Sequence, residues 1–335
     1  MKRIIVTLLL TVALVGSAGA VSNVGTRAAQ FLKIGVGMRA TAMGDAFVAV
    51  ANDASALYWN PAGLSRVSRR QVIFNQANWI AGINFGYVGM VWPLPNRGTI
   101  GGAMTYLGSG EMKVRTEDAP EGTGETFEVN DLALTFAYGV PFTDRFSFGF
   151  AFKYISEQIW HMSASAYAID LGIHFDTDFH GIQLGMNLSN FGGKMRLMGE
   201  DTRFIYNIDP NRNPNHTPNV VADLRTDAFD LPTRFQVGLS GPLPVLPGIW
   251  AVDFVTPNDN YAYLNAGAEV HLGRFLSLRA GYRGLFNDEM EGGLTAGAGF
   301  QITSPRLPWK LNLDYSYLDF GRLQNAQRFG VLLVF

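Results

Sequence analysis

Beyond residue 70 hydrophobic and polar positions alternate along most of the chain. Alternation with period two predicts strands with two unlike faces. In residues 309–317, Trp309, Leu311, Leu313, Tyr315 and Tyr317 fall on one face, with Lys310, Asn312, Asp314 and Ser316 on the other. Phe146, Phe148, Phe150, Phe152 and Tyr154 form an aromatic stripe opposite Ser147, Gly149, Ala151 and Lys153. Residues 167–175, 182–189, 262–272 and 276–283 repeat the pattern, and Phe329, Val331, Leu333 and Phe335 carry it to the last position. A soluble sandwich also alternates. Here, however, the apolar faces are large and aromatic, the strands run about 9–11 residues, and the polar faces hold Gly, Ser, Asn and charges of both signs. The expected fold class is all-β: a transmembrane antiparallel β-barrel with a lipid-facing band and a polar lumen.

Counting the runs gives roughly fourteen strands, starting near residues 70, 84, 98, 130, 145, 165, 181, 233, 249, 261, 275, 293, 309 and 328. The even-numbered connectors are compact, as in Pro93-Leu94-Pro95-Asn96 and Pro141-Phe142-Thr143-Asp144. The long stretches, 108–129, 190–231, 285–292 and 318–327, are all odd-numbered. Short turns at one end and long loops at the other are what an outer-membrane barrel shows, and an even count returns both chain ends to one side.

Composition narrows the class further. Length alone, 335 residues, suggests two domains, but charged residues are only 16% of the chain, against about 25% in an average soluble domain. With a net charge of −2 and no basic run, nothing is present to neutralise phosphates, so no nucleic-acid partner is expected. The absence of Cys removes disulfides, thiolate metal sites and a Cys nucleophile together. A mean hydropathy of +0.08 is too low for a bundle of membrane helices.

The first twenty residues set the compartment. Lys2 and Arg3 precede an apolar run from residue 4 to 15, and Ala18-Gly19-Ala20 supplies small residues at a cleavage site. That is a secretory signal peptide, cut after Ala20; the run falls short of the about 20 residues needed to span a bilayer. The expected organisation is a signal peptide over 1–20, an N-terminal plug over 21–68 and a barrel over 69–335, placed in the outer membrane of a Gram-negative-type bacterium with its lipid as surroundings.

Residues 21–68 do not alternate. Residues 38–50 read as a small-residue helix, and Asn60-Pro61-Ala62-Gly63 ends the segment in a turn. The runs Gly25-Thr26-Arg27-Ala28-Ala29-Gln30-Phe31-Leu32 and Ala40 with Met43-Gly44-Asp45-Ala46-Phe47-Val48-Ala49-Val50 resemble the start of the PorV/PorQ family, as does Asp53-Ala54-Ser55-Ala56-Leu57-Tyr58-Trp59-Asn60-Pro61-Ala62-Gly63-Leu64. That family resembles a branch of the FadL-like outer-membrane transporters. The resemblance implies fourteen strands and a partly helical hatch in the lumen, with Gly44, Asp45, Asn52, Asp53, Asn60, Pro61, Ala62 and Gly63 as its motif residues. The resemblance implies that the Asn60-Pro61-Ala62 turn stands at the tip of the hatch; the alternative is that these residues only anchor it.

Three sets of residues remain as candidates. The inward charges Lys153, Asp170, Arg234, Asp253, Glu269, Arg279, Arg283 and Asp314, with Lys310 beside them, either line a solute path or fill the lumen as a network of mixed sign. In the longest loop, Met195, Leu197, Met198, Phe204 and Ile205 could form a capture surface. Gly35-x-Gly37-x-x-Ala40 imitates a dinucleotide fingerprint but has no βαβ context. His174, Asp176, Asp178 and His180 share one parity and then run into a turn, so neither a cofactor nor a metal is expected. No HExxH or GxSxG occurs, and no enzyme is expected. Two functions stay open: passage of a hydrophobic small molecule past the hatch, or, as the family resemblance implies, the binding and shuttling of secreted cargo proteins in type IX secretion.

Overall fold

The computed structural model describes residues 24–208, 219–287, 290–303 and 308–335. The expected signal peptide and the polar stretch 209–215 lie outside those residues.

Fourteen antiparallel strands build a barrel. They are β1 (Gln71–Asn78), β2 (Asn84–Leu94), β3 (Gly98–Gly108), β4 (Val129–Pro141), β5 (Phe146–Ile159), β6 (Met162–Asp176) and β7 (Gln183–Gly192), followed by β8 (Arg234–Pro242), β9 (Gly248–Pro257), β10 (Tyr263–Leu272), β11 (Leu276–Leu285), β12 (Leu294–Thr303), β13 (Lys310–Asp319) and β14 (Asn325–Val334). Each strand pairs with its sequence neighbours, and β1 closes on β14 from Gln71↔Val334 to Ala77↔Arg328. Closure leaves no open edge, which a sheet in hydrocarbon requires.

Side-chain alternation sets the two faces of the wall. Phe148, Leu171, Val252 and Leu313 are exposed on the outer face, whereas Asp170, Asn187, Asp253 and Arg279 are buried inside. The aromatic stripe of β5 is part of an outer surface that also carries Phe136, Tyr167, Phe235 and Phe329. At one end, the turn side, the connectors are short and both β1 and β14 have their outer ends. At the other, the loop side, short strands fold the long connector after β7 into a cover, with Lys194–Arg196 paired to Ala228–Asp230 and Arg203–Asn207 paired to Asn219–Asp223. Not every loop-side link is long: Trp160 and His161 alone join β5 to β6.

Residues 29–67 lie inside the barrel, and Ala40, Met43, Phe47, Leu57, Trp59 and Leu64 are almost wholly buried. The helix expected over residues 38–50 is only α1 (Met38–Ala42). Gly44, at φ +68, and Asp45, at φ +61, turn the chain left-handed. The Asp45 amide donates to Ala40 O and the Gly44 amide to Thr41 O, which closes the helix as a Schellman motif with glycine past its end. A second short helix, α2 (Ala56–Trp59), leads into the 3-10 turn Pro61–Arg66. Asn60 caps that turn by accepting from the Ala62 amide at 3.1 Å, and Pro61 supplies a fixed φ at the first position, where no donor is needed.

Candidate functional site

With so little regular structure of its own, the inner segment must find partners for its backbone amides elsewhere. The wall provides them. Asn75 Oδ1 accepts from the Gly37 amide at 3.1 Å, and Gln71 Oε1 from the Ala54 amide at 2.8 Å. Glu157 Oε1 accepts from the Ala29 amide at 2.8 Å. Asp253 Oδ2 accepts from both Phe47 and Val48, at 2.8 and 2.9 Å. Asn60 faces both partners, its Nδ2 donating to Val48 O at 2.9 Å and to Ile173 O of the wall at 3.0 Å.

Where the inner backbone approaches the wall, the wall carries glycine. A methyl group on Gly149 or Gly172 would overlap the backbone at Pro61 and Ala62, and one on Gly185 would overlap Val48. Gly267 and Gly281 stand in the same relation to Met43. These inward glycines form the seat on which the segment rests.

The inward charges are all engaged. Lys153 Nζ lies 2.6 Å from Asp170, and both groups also bind Asn190. Arg279 is 2.6 Å from Asp314 and 3.5 Å from Glu269, and Glu269 in turn is 2.6 Å from Arg39 of α1. Arg39 also reaches Asn52 at 2.7 Å and Asp53 at 3.4 Å. Asp53 accepts from the Ser55 amide at 2.8 Å. Arg283 is 3.4 Å from Asp45, and Arg234 donates to the Tyr58 hydroxyl at 3.2 Å. Lys310, by contrast, stands exposed at the rim of the turn side. Arg39 and Tyr58 were not singled out in the sequence, because the inner segment has no alternation to read. Arg328 was overlooked although its parity puts it inside; it is 0% exposed and donates to Gly35 O at 2.8 Å.

His174 and Asp178 do not converge. His174 is buried and accepts from Arg66 at 3.0 Å, whereas Asp178 pairs with Arg145 on the surface. Gly35 and Gly37 are taken up by contacts with Arg328 and Asn75.

The inner segment packs into the lumen, with Ala40, Met43, Phe47, Leu57, Trp59 and Leu64 almost wholly buried. A cavity of about 10 Å³ lies among Leu32, Leu57, Tyr58, Tyr87, Thr105 and Lys153, room for about one water molecule. The loop face is open by comparison. In the strand pair Arg203–Asn207 and Asn219–Asp223, Phe204 and Tyr206 lie on one side and Ile205 and Val221 on the other, the last two at 73% and 74% exposure. Met198 is exposed as well. Met195 is instead buried with Leu231, because its short strand pairs with residues 228–230 and turns it inward; Leu197 packs half-buried against the same cluster. Arg322, between β13 and β14, forks onto Glu291, between β11 and β12, and holds that carboxyl below its ordinary value.

A family model described as type IX secretion system protein PorV matches residues 18–210. No curated protein matches. Among solved structures, the toluene transporter TbuX of Ralstonia pickettii superposes with a TM-score of 0.57 at 13% identity, covering 90% of this chain and 97% of its own. The toluene transporter TodX of Pseudomonas putida gives 0.56 at 14%, covering 90% and 97%. The monoaromatic hydrocarbon channel CymD gives 0.53 at 12%, covering 90% and 96%. At these identities the likeness is one of fold, a closed antiparallel barrel of fourteen strands.

Proposed function

The chain belongs to the PorV family, and from that premise we propose that it is a closed barrel whose loop face binds secreted cargo proteins and shuttles them at the cell surface in type IX secretion. In this reading the signal peptide is removed after Ala20, the turn side faces the periplasm and the loops face outward. The aromatic outer face meets outer-membrane lipid. The observation that carries the reading is a contrast between an inner segment almost wholly buried in the barrel and a loop-side strand pair, Arg203–Asn207 with Asn219–Asp223, that is apolar and exposed on both faces. A strand pair with two exposed apolar faces is unusual on a surface that meets only water, and such patches mark interaction sites. Met198, Phe204 and Ile205, with Val221, form the proposed contact surface.

The test is a photo-crosslinking residue at Ile205 in the native host, with Phe204→Ser, Ile205→Ser and Val221→Ser combined as the companion variant. Crosslinks to secreted proteins are expected, together with a several-fold loss of surface-attached cargo at unchanged barrel level. Normal delivery by the triple variant would overturn the reading.

The second reading, passage of hydrophobic small molecules, is favoured by one observation. The small cavity is walled largely by Leu32, Leu57, Ala133 and the rings of Tyr58 and Tyr87, so a shift of the hatch there would open apolar space. Uptake of a radiolabelled alkane or toluene into liposomes measures it. Flux no greater than that of empty vesicles removes this reading.

A further inference from the structure

The turn-side rim is divided by charge. From β13 round to β3 it carries Lys310, Arg69, Arg70 and Arg97, and no acid of the described residues stands on that stretch. The acids of the rim, Asp144, Asp176 and Asp178, belong to the ends of β4 to β7, where Asp178 pairs with Arg145. Among the described residues no carboxylate lies within 4.0 Å of the four basic groups.

Three of the four meet where the barrel closes. Lys310 of β13 and Gln71 of β1 both pair with Val334 of β14, and the Phe335 amide donates to Arg70 O at 2.9 Å. Arg69 donates to Pro308 O, just ahead of Lys310. Arg70 is exposed on the outer face, its guanidinium 3.7 Å over the ring of Trp92. An arginine stacked in this way keeps its in-plane N–H donors, which match the oxygens of a phosphate.

Toward the bilayer centre from this stretch, the outer wall is hollowed. A groove of about 360 Å³ runs over β12, β13 and β14. The pairings Phe300↔Leu313 and Leu313↔Val331 form its turn-side row, and Tyr315 and Phe329, with rings 5.3 Å apart, form the next. Ala298 stands opposite Tyr315, and its small side chain leaves the space. Leu313 is three residues from Lys310, about 10 Å at the rise of a strand. That lies within the roughly 15 Å of hydrocarbon in one leaflet. At the other edge Val331 pairs with Phe74 of β1, four residues from Arg70.

We infer that this sector binds a phospholipid with a net negative headgroup, its phosphate on Arg70 with Arg69 and Lys310 as supporting charge, and one acyl chain in the groove over Ala298. The groove alone would take any chain. The acid-free basic rim selects the occupant, because clustered Lys and Arg at a membrane surface favour anionic over zwitterionic lipid. The site is independent of whether the barrel handles proteins or small molecules.

The test uses the full mature protein in detergent, with dioleoylphosphatidylglycerol, dioleoylphosphatidylcholine or sodium phosphate added and unfolding temperature as the readout. Phosphatidylglycerol should raise it saturably, with a midpoint about tenfold below that of phosphatidylcholine and a preference that shrinks as salt rises. Arg70→Gln combined with Lys310→Gln should abolish the preference and leave the phosphatidylcholine midpoint unchanged. If that variant does not fold, Arg70→Gln alone should still reduce the preference several-fold. Ala298→Phe, which fills the groove with another apolar group, should weaken both lipids and keep the preference. Arg145→Gln, on the acid-bearing part of the rim, should change neither. Equal midpoints for the two lipids, or a preference that survives loss of the Arg70 charge, would overturn the site. Unchanged lipid midpoints in Ala298→Phe would do the same, by removing the groove. A saturable rise with sodium phosphate alone would also overturn it, in favour of a free anion.

Discussion

The two ends of the inner segment are held in different ways. Toward the turn side, residues 42–63 rest on glycines: Gly149, Gly172, Gly185, Gly267 and Gly281 admit the backbone only because they have no side chain. Toward the loop side, residues 27–33 add charge to packing: Lys33 is 2.8 Å from Asp259 and Arg27 3.9 Å from Asp230, while Ala29, Phe31 and Leu32 are buried. Shape complementarity in a close-packed interior leaves no intermediate position. Ion pairs at a partly exposed mouth are screened by salt and individually weak. The turn-side end therefore rests on shape, and the loop-side end adds salt-sensitive ion pairs to its packing, where Ala29 also sits at φ +52, a left-handed value for a non-glycine residue.

The largest test of this contrast compares two adjacent positions on β5. Phe150→Arg puts a charge into the lipid-facing band and should cost roughly 2–4 kcal/mol at mid-membrane, read as loss of folded barrel in urea titrations in lipid. Gly149→Leu, one residue away on the inner face, should leave the wall formed but displace Pro61 and Ala62, at about 1–3 kcal/mol. It should also raise ion conductance in a planar bilayer, which Phe150→Arg molecules that do insert should not. Equal conductance in both would break the distinction between wall and seat. The smallest energetic effect belongs to Asp259→Asn, expected at about 1 kcal/mol or less and shrinking as salt rises. A salt-independent loss would show that the mouth is held by packing instead. Because the chain has no Cys, Val24→Cys can sharpen the geometry without other changes. In intact cells a membrane-impermeant maleimide should label Cys at position 24 but not one placed at Asn96 in the turn between β2 and β3. The reverse pattern would invert the orientation.

The barrel was legible because each strand repeats one simple contrast: aromatic Phe148 and Phe150 out, Gly149 and Ala151 in, with no long-range information needed. The inner segment was less so. Residues 38–50 have the composition of a helix, and only the left-handed pair Gly44 and Asp45 stops it after one turn. Contacts such as Arg39 with Glu269 or Arg328 with Gly35 join positions more than 200 residues apart and leave no periodic trace. Parity put Asp253 and Glu269 on the inner face but could not say that one would cap two amides and the other pair with a helix arginine. Met195 was misplaced as a surface residue because its partner strand, 228–230, is too short to announce itself.

The path of the first forty described residues constrains how the molecule can be made. Val24 to Lys33 lie by the loops, and β1 begins at the opposite rim, so the chain traverses the whole barrel before its first wall strand starts. A finished, hydrogen-bonded cylinder would have to admit this strand of polypeptide end-first, past seats too narrow for a single methyl group. The more direct order of events is the opposite one. A β1–β14 seam that closed last, around a segment already laid in place, would need no such passage, with the N-terminal stretch as the mandrel on which the cylinder is wound.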